Sequence, residues 1–536
     1  MADVPLLTLL LAVPAAVALL IAVMPREAVR PIRSVAMGGS LVTLGVAVAV
    51  LAAFEVGQPG FQLEEEVAWI PQWGISYRLG VDGISLLLVA LTAFFMPLVV
   101  LAAWHQHERA KGFFVALMAM GAAMLGVFLA LDLILFYVLF EAMLVPMYAL
   151  IGIWGGKQRR YAAIKFFLYT LVGGLLMLVA ILYLYWSAGA QSFDYDVLRG
   201  LELTGTEQLW LFLAFFAAFG IKVPIFPFHT WLPDAHTEAP TVGSVILAAV
   251  LLKIGGYGFL RFSLPYFPEA TISLAPWMLG LGVIGVLYGA LVAMMQRDIK
   301  RLIAYSSVSH LGFVVLGAFA LNQTGAAGSV VQMVNHGLST GALFLLVGFL
   351  YDRTHERAIA EYSGIMRVTP VFGGLFLITA MSSLALPGLN GFTGEFPILL
   401  GTFAAVPLAG IAATLGVILA AIYLLWAYQR MFHGPVEGRA VGLTDLTPRE
   451  IGVVAPIVVL MVAIGLYPGP LYDRVNPTVE VLVEEVVAVA EGADVATVDQ
   501  TGDPAAGSDA PIELDAPAGS DLDSADDDDE DEEVSR

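Results

Sequence analysis

Leu135-Phe136-Tyr137-Val138-Leu139-Phe140-Glu141-Ala142-Met143-Leu144-Val145-Pro146 puts one carboxyl group in the middle of an apolar run. The run extends over 133–154, about the length that crosses a hydrocarbon core as a helix. Its neighbours read the same way. Apolar windows recur near 5–24, 34–54, 81–104, 112–131, 164–187, 208–228, 241–261, 272–295, 301–320, 328–351, 369–399, 402–429 and 451–472. These predict an all-α polytopic membrane protein of about fourteen transmembrane helices. The first window is read as a span and not as a signal peptide, because no basic segment precedes it and Pro25-Arg26 follows where a small-residue cleavage site would stand.

Composition agrees. Of 536 residues, 59% are hydrophobic and 13% charged, against the roughly 25% charge of soluble domains. The net charge of −21 has a local source, since 14 acids fall between Asp503 and Glu533. That stretch of Asp, Ala, Gly, Ser and Pro buries too little apolar surface to repay its ordering entropy, so 495–536 is expected to be a disordered acidic tail. The same sign disfavours nucleic acid as a partner. The chain has no cysteine, which excludes disulfides, thiolate zinc sites and cysteine-held iron–sulfur clusters together.

Loop charge predicts orientation. With the amino terminus outside, roughly eighteen Lys and Arg fall on the cytoplasmic side and about five outside, as the positive-inside rule requires. An even number of spans then puts both termini on the outer side of a prokaryotic cytoplasmic membrane. The long loops 55–80 and 188–207 are acid-rich and face out.

Glu141 has company. Lys222 in Phe219-Gly220-Ile221-Lys222-Val223-Pro224 and Lys253 in Leu251-Leu252-Lys253-Ile254-Gly255 also sit near span centres, and they are two of only six lysines. A Lys at such a depth costs roughly 2.5–3.5 kcal/mol on the insertion scale, so each needs a partner or a purpose. A static ion pair between Glu141 and Lys222 is the structural alternative. It is disfavoured because buried pairs are often replaceable by apolar residues, whereas intramembrane ionisable groups mark proton and ion pathways. A low dielectric disfavours the charged form of such groups and an approaching opposite charge restores it, so a moving neighbour acts as a switch. His310 and His336 occupy adjacent spans and carry the side chain that titrates nearest neutrality; beside Lys253 they read as a relay. Ser306, Ser307 and Ser309 are candidates to hold water there.

Two spans are interrupted. Lys222-Val223-Pro224-Ile225-Phe226-Pro227 has two prolines, and Ala385-Leu386-Pro387-Gly388-Leu389-Asn390-Gly391-Phe392-Thr393-Gly394-Glu395 has a proline with glycines. Broken helices at membrane depth are tolerated only inside protein or beside a watered cavity. Each break has a charge beside it, Lys222 in one and Glu395 in the other. Paired discontinuous helices are the mark of transporter repeats.

These stretches resemble the M-chain family of bacterial NADH–quinone oxidoreductase, respiratory complex I. The similarity runs through Glu141 to Pro146, Gly152-Ile153-Trp154-Gly155-Gly156 and Arg160-Tyr161-Ala162-Ala163-Ile164-Lys165-Phe166. It continues through Phe228-His229-Thr230-Trp231-Leu232-Pro233-Asp234-Ala235-His236-Thr237-Glu238-Ala239-Pro240-Thr241, Asp298 to Ser307, and Gly391-Phe392-Thr393-Gly394-Glu395-Phe396. It covers about 75–470, and the acidic tail lies outside it.

The resemblance implies an antiporter-like fold with two inverted five-helix repeats, at 112–261 and 272–429. They would follow an N-terminal unit of three helices at 1–111 and precede a C-terminal transmembrane helix within 430–480. It implies that Glu141 and Lys222 form the charge pair of the first half, that Lys253 is the central relay with His310 and His336 as the connection, and that Glu395 is the terminal residue of the second half. Related antiporter-like chains typically carry Lys on the twelfth span and the M chain Glu, so Glu395 favours the M chain. The implied activity is proton translocation driven by redox chemistry elsewhere. FMN, iron–sulfur clusters and quinone are expected in partner subunits, and no cofactor or metal in this chain. The implied partners are the other membrane subunits of complex I, including neighbouring antiporter-like chains, and the lipid bilayer. A subunit of a multisubunit Na⁺/H⁺ antiporter, a membrane-bound hydrogenase subunit and an inert assembly scaffold remain as alternatives.

Overall fold

The structure, a computed structural model, describes residues 4–490; the acidic tail expected over 495–536 lies outside the described residues. Two helices precede the rest, α1 (Leu6–Val23) and α2 (Val29–Ala53). A hairpin follows, with β1 (Gln62–Ile70) paired antiparallel to β2 (Ile75–Val81). Then come α3 (Gly83–His105), α4 (Ala110–Leu129), α5 (Leu133–Trp154) and α6 (Arg159–Ser187). The next crossing is built from two pieces, α7 (Gly205–Lys222) and α8 (Trp231–Glu238). After it run α9 (Thr241–Tyr266), α10 (Pro268–Met294), α11 (Ile299–Phe319) and α12 (Gln323–Thr354). A second two-piece crossing, α13 (Pro370–Ser383) and α14 (Asn390–Ala405), leads to α15 (Pro407–Phe432), α16 (Pro448–Leu466) and α17 (Gly469–Ala490).

Among the described residues 12 helices are long and apolar enough to span a bilayer. The two broken crossings bring the total to the fourteen expected. Both repeats are visible in this order. Counting from α4, the fourth crossing is the broken pair α7/α8; counting from α10, the fourth is again broken, α13/α14. The starts of the two series are five crossings apart, an odd number, so the second series runs through the membrane upside down relative to the first.

Local chemistry sets the boundaries. Asp82 caps α3 through Ile84 N and Ser85 N, and Ser85 answers in a capping box. Thr204 with Glu207 does the same for α7, and Thr447 with Glu450 for α16. Prolines open α10, α13, α15 and α16, where the missing N–H costs nothing.

Burial decides which helices matter. The most apolar windows of α9 and α12 are 100% buried, whereas that of α1 is 28% buried. Helices enclosed on every side have no lipid-facing surface to supply, so polar residues on them face other helices. Lys253 lies on α9 and His336 on α12.

Two features differ from the reading of the sequence. The expected acid-rich loop 55–80 contains the β1–β2 hairpin, with a break in register between Gln62 and Glu65. The region expected to carry a single C-terminal helix holds the span α16 and then a separate helix, α17. Its buried residues Val475, Val479, Leu482, Val483 and Val486 recur at helical spacing along one face. Thr478 Oγ1 accepts from Gly83 N and donates to Pro59 O, which ties α17 to the start of α3.

Candidate functional site: a buried proton relay

Lys222 is the last residue of α7, where the helix stops at Pro224. The loose end is satisfied from within the protein: Ile225 N donates to Gly220 O at 2.8 Å, and Trp231 Nε1 to Ile221 O at 2.9 Å. This is how a broken helix is tolerated at depth. The carbonyl end of α7 also favours a cation. Lys222 is fully buried, yet its Nζ has no hydrogen-bond partner and lies 4.7 Å from the centre of the Phe140 ring.

Glu141 follows Phe140 on α5. Its Oε1 is buried without a partner and faces Gly174 of α6, where a Cβ would collide with the carboxylate. Glu141 and Lys222 each feel the other's charge, but among the described residues they form no direct ion pair. No salt bridge joins the two groups, and both keep free hydrogen-bonding capacity.

The central group is connected. Lys253 stands between two π-helical turns of α9, Leu247–Leu251 and Phe259–Ser263, a distortion that often marks functional positions. Its Nζ donates to Ala248 O, and lies 2.6 Å from Nδ1 of His336. The rings of His336 and His310 have centroids 5.9 Å apart. His310 Nδ1 lies 2.7 Å from Glu395 Oε1, which also accepts from Gln332 Nε2 at 2.7 Å. On its other side, His310 Nε2 is 3.2 Å from Tyr423 OH and 3.4 Å from Ser383 Oγ. Lys253, His336, His310 and Glu395 are each no more than 2% exposed.

The structure thus brings four of the six expected residues together as two hydrogen-bonded pairs, Lys253–His336 and His310–Glu395, across α9, α12, α11 and α14, with the two histidine rings 5.9 Å apart between centroids. Glu141 and Lys222 form a second cluster. The aromatic side chains Phe136, Phe140, Phe219 and Phe262 pack beside it, and no hydrogen bond joins it to Lys253. The second break is satisfied much as the first: Asn335 Nδ2 donates to Asn390 O at 2.6 Å and Asn390 Nδ2 to Asn335 O at 3.2 Å.

Three expectations need amendment or addition. The hydroxyls of Ser306 and Ser307 donate to Ile303 O and that of Ser309 to Val286 O, so their protons are committed to helix carbonyls. Gln332, Tyr423 and Ser383 belong to the site and were not read from the sequence, although Gln332 stands one helical turn before His336. Arg261 and Asp82 form a buried ion pair between α9 and α3. The guanidinium lies 4.8 Å from the Phe61 ring and 5.5 Å from that of Tyr257.

Comparisons with known proteins agree with this geometry. Residues 130–422 match the family described as NADH:quinone oxidoreductase/Mrp antiporter, TM. NADH-quinone oxidoreductase subunit M of Rhodobacter capsulatus is 47% identical over 495 residues, covering 89% of this chain and 96% of that protein. Subunit M of Mycobacterium tuberculosis is 41% identical over 90% of this chain and 94% of its own length. A chain of respiratory complex I from Thermus thermophilus superposes with a TM-score of 0.83 at 33% identity, over 90% of this chain and 99% of that one. A chain of the Mrp complex from Dietzia shares the fold at 20% identity, with a TM-score of 0.77, over 90% of this chain and 99% of that one. The chain belongs to the NADH:quinone oxidoreductase/Mrp antiporter family of membrane subunits, on the branch of NADH-quinone oxidoreductase subunit M.

Proposed function

We propose that this chain is a proton-translocating membrane-arm subunit of an NADH–quinone oxidoreductase, and that Glu141, Lys222, Lys253, His336, His310 and Glu395 carry the proton. The observation that carries the reading is the buried set of Lys253, the two histidines and Glu395. Groups that exchange protons must come within hydrogen-bonding reach, directly or through one water. Lys253 and His336 meet that condition at 2.6 Å, and His310 and Glu395 at 2.7 Å.

Glu141 and Lys222 serve as the trigger in this reading. Their free hydrogen-bonding capacity supports it, because the two groups can close or separate without breaking a salt bridge. A change in their spacing alters the field at Lys253, which passes its proton through His336 and His310 to Glu395. Moving one charge against 100 mV costs about 2.3 kcal/mol, so the free energy comes from NADH oxidation and quinone reduction in partner chains. FMN, the iron–sulfur clusters and quinone reside there, and the neighbouring membrane subunits of complex I, other antiporter-like chains among them, are the partners. The first repeat is assigned to 112–261 and the second to 272–429.

Purification of the native complex through a tag on this chain tests the proposal. Recovery of flavin- and iron–sulfur-containing chains with NADH:quinone activity is the expected result. Recovery of only small hydrophobic partners, with sodium-dependent transport and no redox chain, would overturn it in favour of the antiporter.

The loop charges support a location in the prokaryotic cytoplasmic membrane with the start of α1, the hairpin and α17 on the outer face. The absence of native cysteine makes this directly measurable. A Cys introduced at Gln72 in the hairpin is expected to react with an impermeant maleimide in intact cells, and a Cys at Gln158 only after permeabilisation. The opposite pattern would invert the orientation.

A further inference from the structure

Pro397 stands inside α14, two residues after Glu395. A proline within a helix has no N–H to give to the carbonyl four residues before it, and its ring pushes that carbonyl aside. In α14 the carbonyl is that of Thr393, two residues before Glu395. The two ends of the missing ladder bond therefore straddle the carboxyl-bearing residue. A carbonyl left without a donor inside protein is unfavourable, so the question is where a substitute comes from.

The substitute comes from another element. Tyr472, in the first turn of α17, donates from its hydroxyl to Thr393 O at 2.6 Å. Pro14, Pro97, Pro276, Pro456 and Pro477 also stand inside helices, and among the described residues no side chain donates to the carbonyl four residues before any of these. The first broken crossing is satisfied differently as well. There Ile221 O takes its donor from Trp231 of α8, a piece of the same crossing, whereas the donor for Thr393 O lies beyond the end of the second repeat.

The first turn of α14 has no slack around this bond. A Cβ on Gly394 would collide with the backbone and side chain of Gln332 on α12, the residue whose Nε2 donates to Glu395 Oε1. A Cβ on Gly465, near the end of α16, would collide with Gly388 and Leu389 in the break between α13 and α14. α17 begins four residues later and is itself anchored. Thr478 ties it to Gly83 N and Pro59 O, and Glu480 accepts from Gln323 Nε2 at the start of α12 at 3.2 Å. Tyr472 thus reaches Thr393 from a fixed base, and the turn that carries Glu395 is held between α12 and α17. Glu395 Oε1 meets both His310 Nδ1 and Gln332 Nε2 at 2.7 Å. Contacts of that kind depend on placement, and an error of about 1 Å can cost on the order of a hundredfold in rate.

We propose that Tyr472 is a positioning residue for Glu395: its hydroxyl supplies the hydrogen bond that Pro397 withholds, and so fixes the turn of α14 at which the carboxyl group meets His310 and Gln332. Tyr472 makes no contact with the relay groups and acts only through the backbone of Thr393. The inference rests on the proposed function, since it assumes that Glu395 carries the transported proton.

The test uses the assembled complex in membrane vesicles. Tyr472→Phe keeps the ring and removes the donor. NADH-driven proton uptake is expected to fall about fivefold, the worth of one hydrogen bond, while the amount of complex and its NADH oxidation by an artificial acceptor stay unchanged. Pro397→Ala restores the backbone N–H that Thr393 O lacks, so the double variant Tyr472→Phe/Pro397→Ala should regain most of the lost uptake. A second readout follows the carboxyl group itself. The infrared difference spectrum on addition of NADH is expected to contain a carboxyl C=O band that is missing in Glu395→Gln. In Tyr472→Phe that band should shift, and in the double variant it should return; a bond that merely stabilises the helix would leave it in place. Undiminished uptake in Tyr472→Phe would overturn the proposal, as would an unshifted band or a loss that Pro397→Ala leaves untouched. If Tyr472→Phe fails to assemble, the double variant decides: assembly with near-normal uptake upholds the proposal, and anything less overturns it. Uptake by Glu395→Gln, measured alongside, separates the two levels. Loss in that variant with normal uptake in Tyr472→Phe removes only the inference. Normal uptake in Glu395→Gln, or a difference spectrum that it leaves unchanged, removes the proposed role of Glu395 and the inference with it.

Discussion

Glu141→Gln is expected to reduce NADH-driven proton uptake at least tenfold, on the order of the loss when a proton-transfer group is removed, while the complex assembles in normal amount. The amide matches the carboxyl in size, and Gly174 leaves the space for it. No salt bridge is lost, because Glu141 and Lys222 do not form one. Lys222→Met should behave alike, since its Nζ gives up no hydrogen bond. The double variant Glu141→Gln/Lys222→Met makes the comparison decisive. If the pair only fixed helix packing, removing both charges would restore the complex, as replacement of buried ion pairs by apolar residues often does. A relay predicts no recovery at all. Proton uptake in vesicles, set against NADH oxidation by an artificial acceptor and the amount of complex on a native gel, distinguishes the two.

Lys222 and Glu395 stood out in the sequence because proline and glycine break an apolar span beside each of them, and both breaks are present between α7 and α8 and between α13 and α14. Such a signal is local, so a single chain carries it. The partnership of His310 with Glu395 spans 85 residues, and nothing local to either residue announces it; only the packing of α11 against α14 brings them together. The spacing of Glu141 and Lys222 is not legible in the sequence for a related reason. Opposite charges in apolar helices suggest contact, but the rotamers and the aromatic ring of Phe140 decide the distance. The hairpin was hidden because Glu64, Glu65 and Glu66 break the alternation that identifies a strand. Helix α17 was hidden because a search for spans twenty apolar residues long passes over an amphipathic helix, although the recurrence of Val475, Val479, Leu482 and Val486 is legible once helical periodicity is sought.

Asp82→Ala is expected to act on assembly instead of on transport. Arg261 is 5% exposed, and Asp82 is the only carboxylate that pairs with it among the described residues. Removing one partner of a buried pair leaves an uncompensated charge, at a cost of about 3–5 kcal/mol. The same substitution deletes the cap of α3, worth about 1 kcal/mol. Together these approach the whole stability of an ordinary domain, so the subunit should be scarce in membranes and the extracted complex should lose it on mild heating. Asp82→Asn separates the two contributions, because the amide oxygen still accepts from Ile84 N and Ser85 N while the charge is gone. Combining Asp82→Asn with Arg261→Met retains the cap and removes both charges, which should return most of the lost complex. Subunit content after a heat step, measured for all three variants, checks the order Asp82→Ala below Asp82→Asn below the double variant. A normal amount of complex in Asp82→Ala would mean that Arg261 finds water or another acceptor at the outer end of α9.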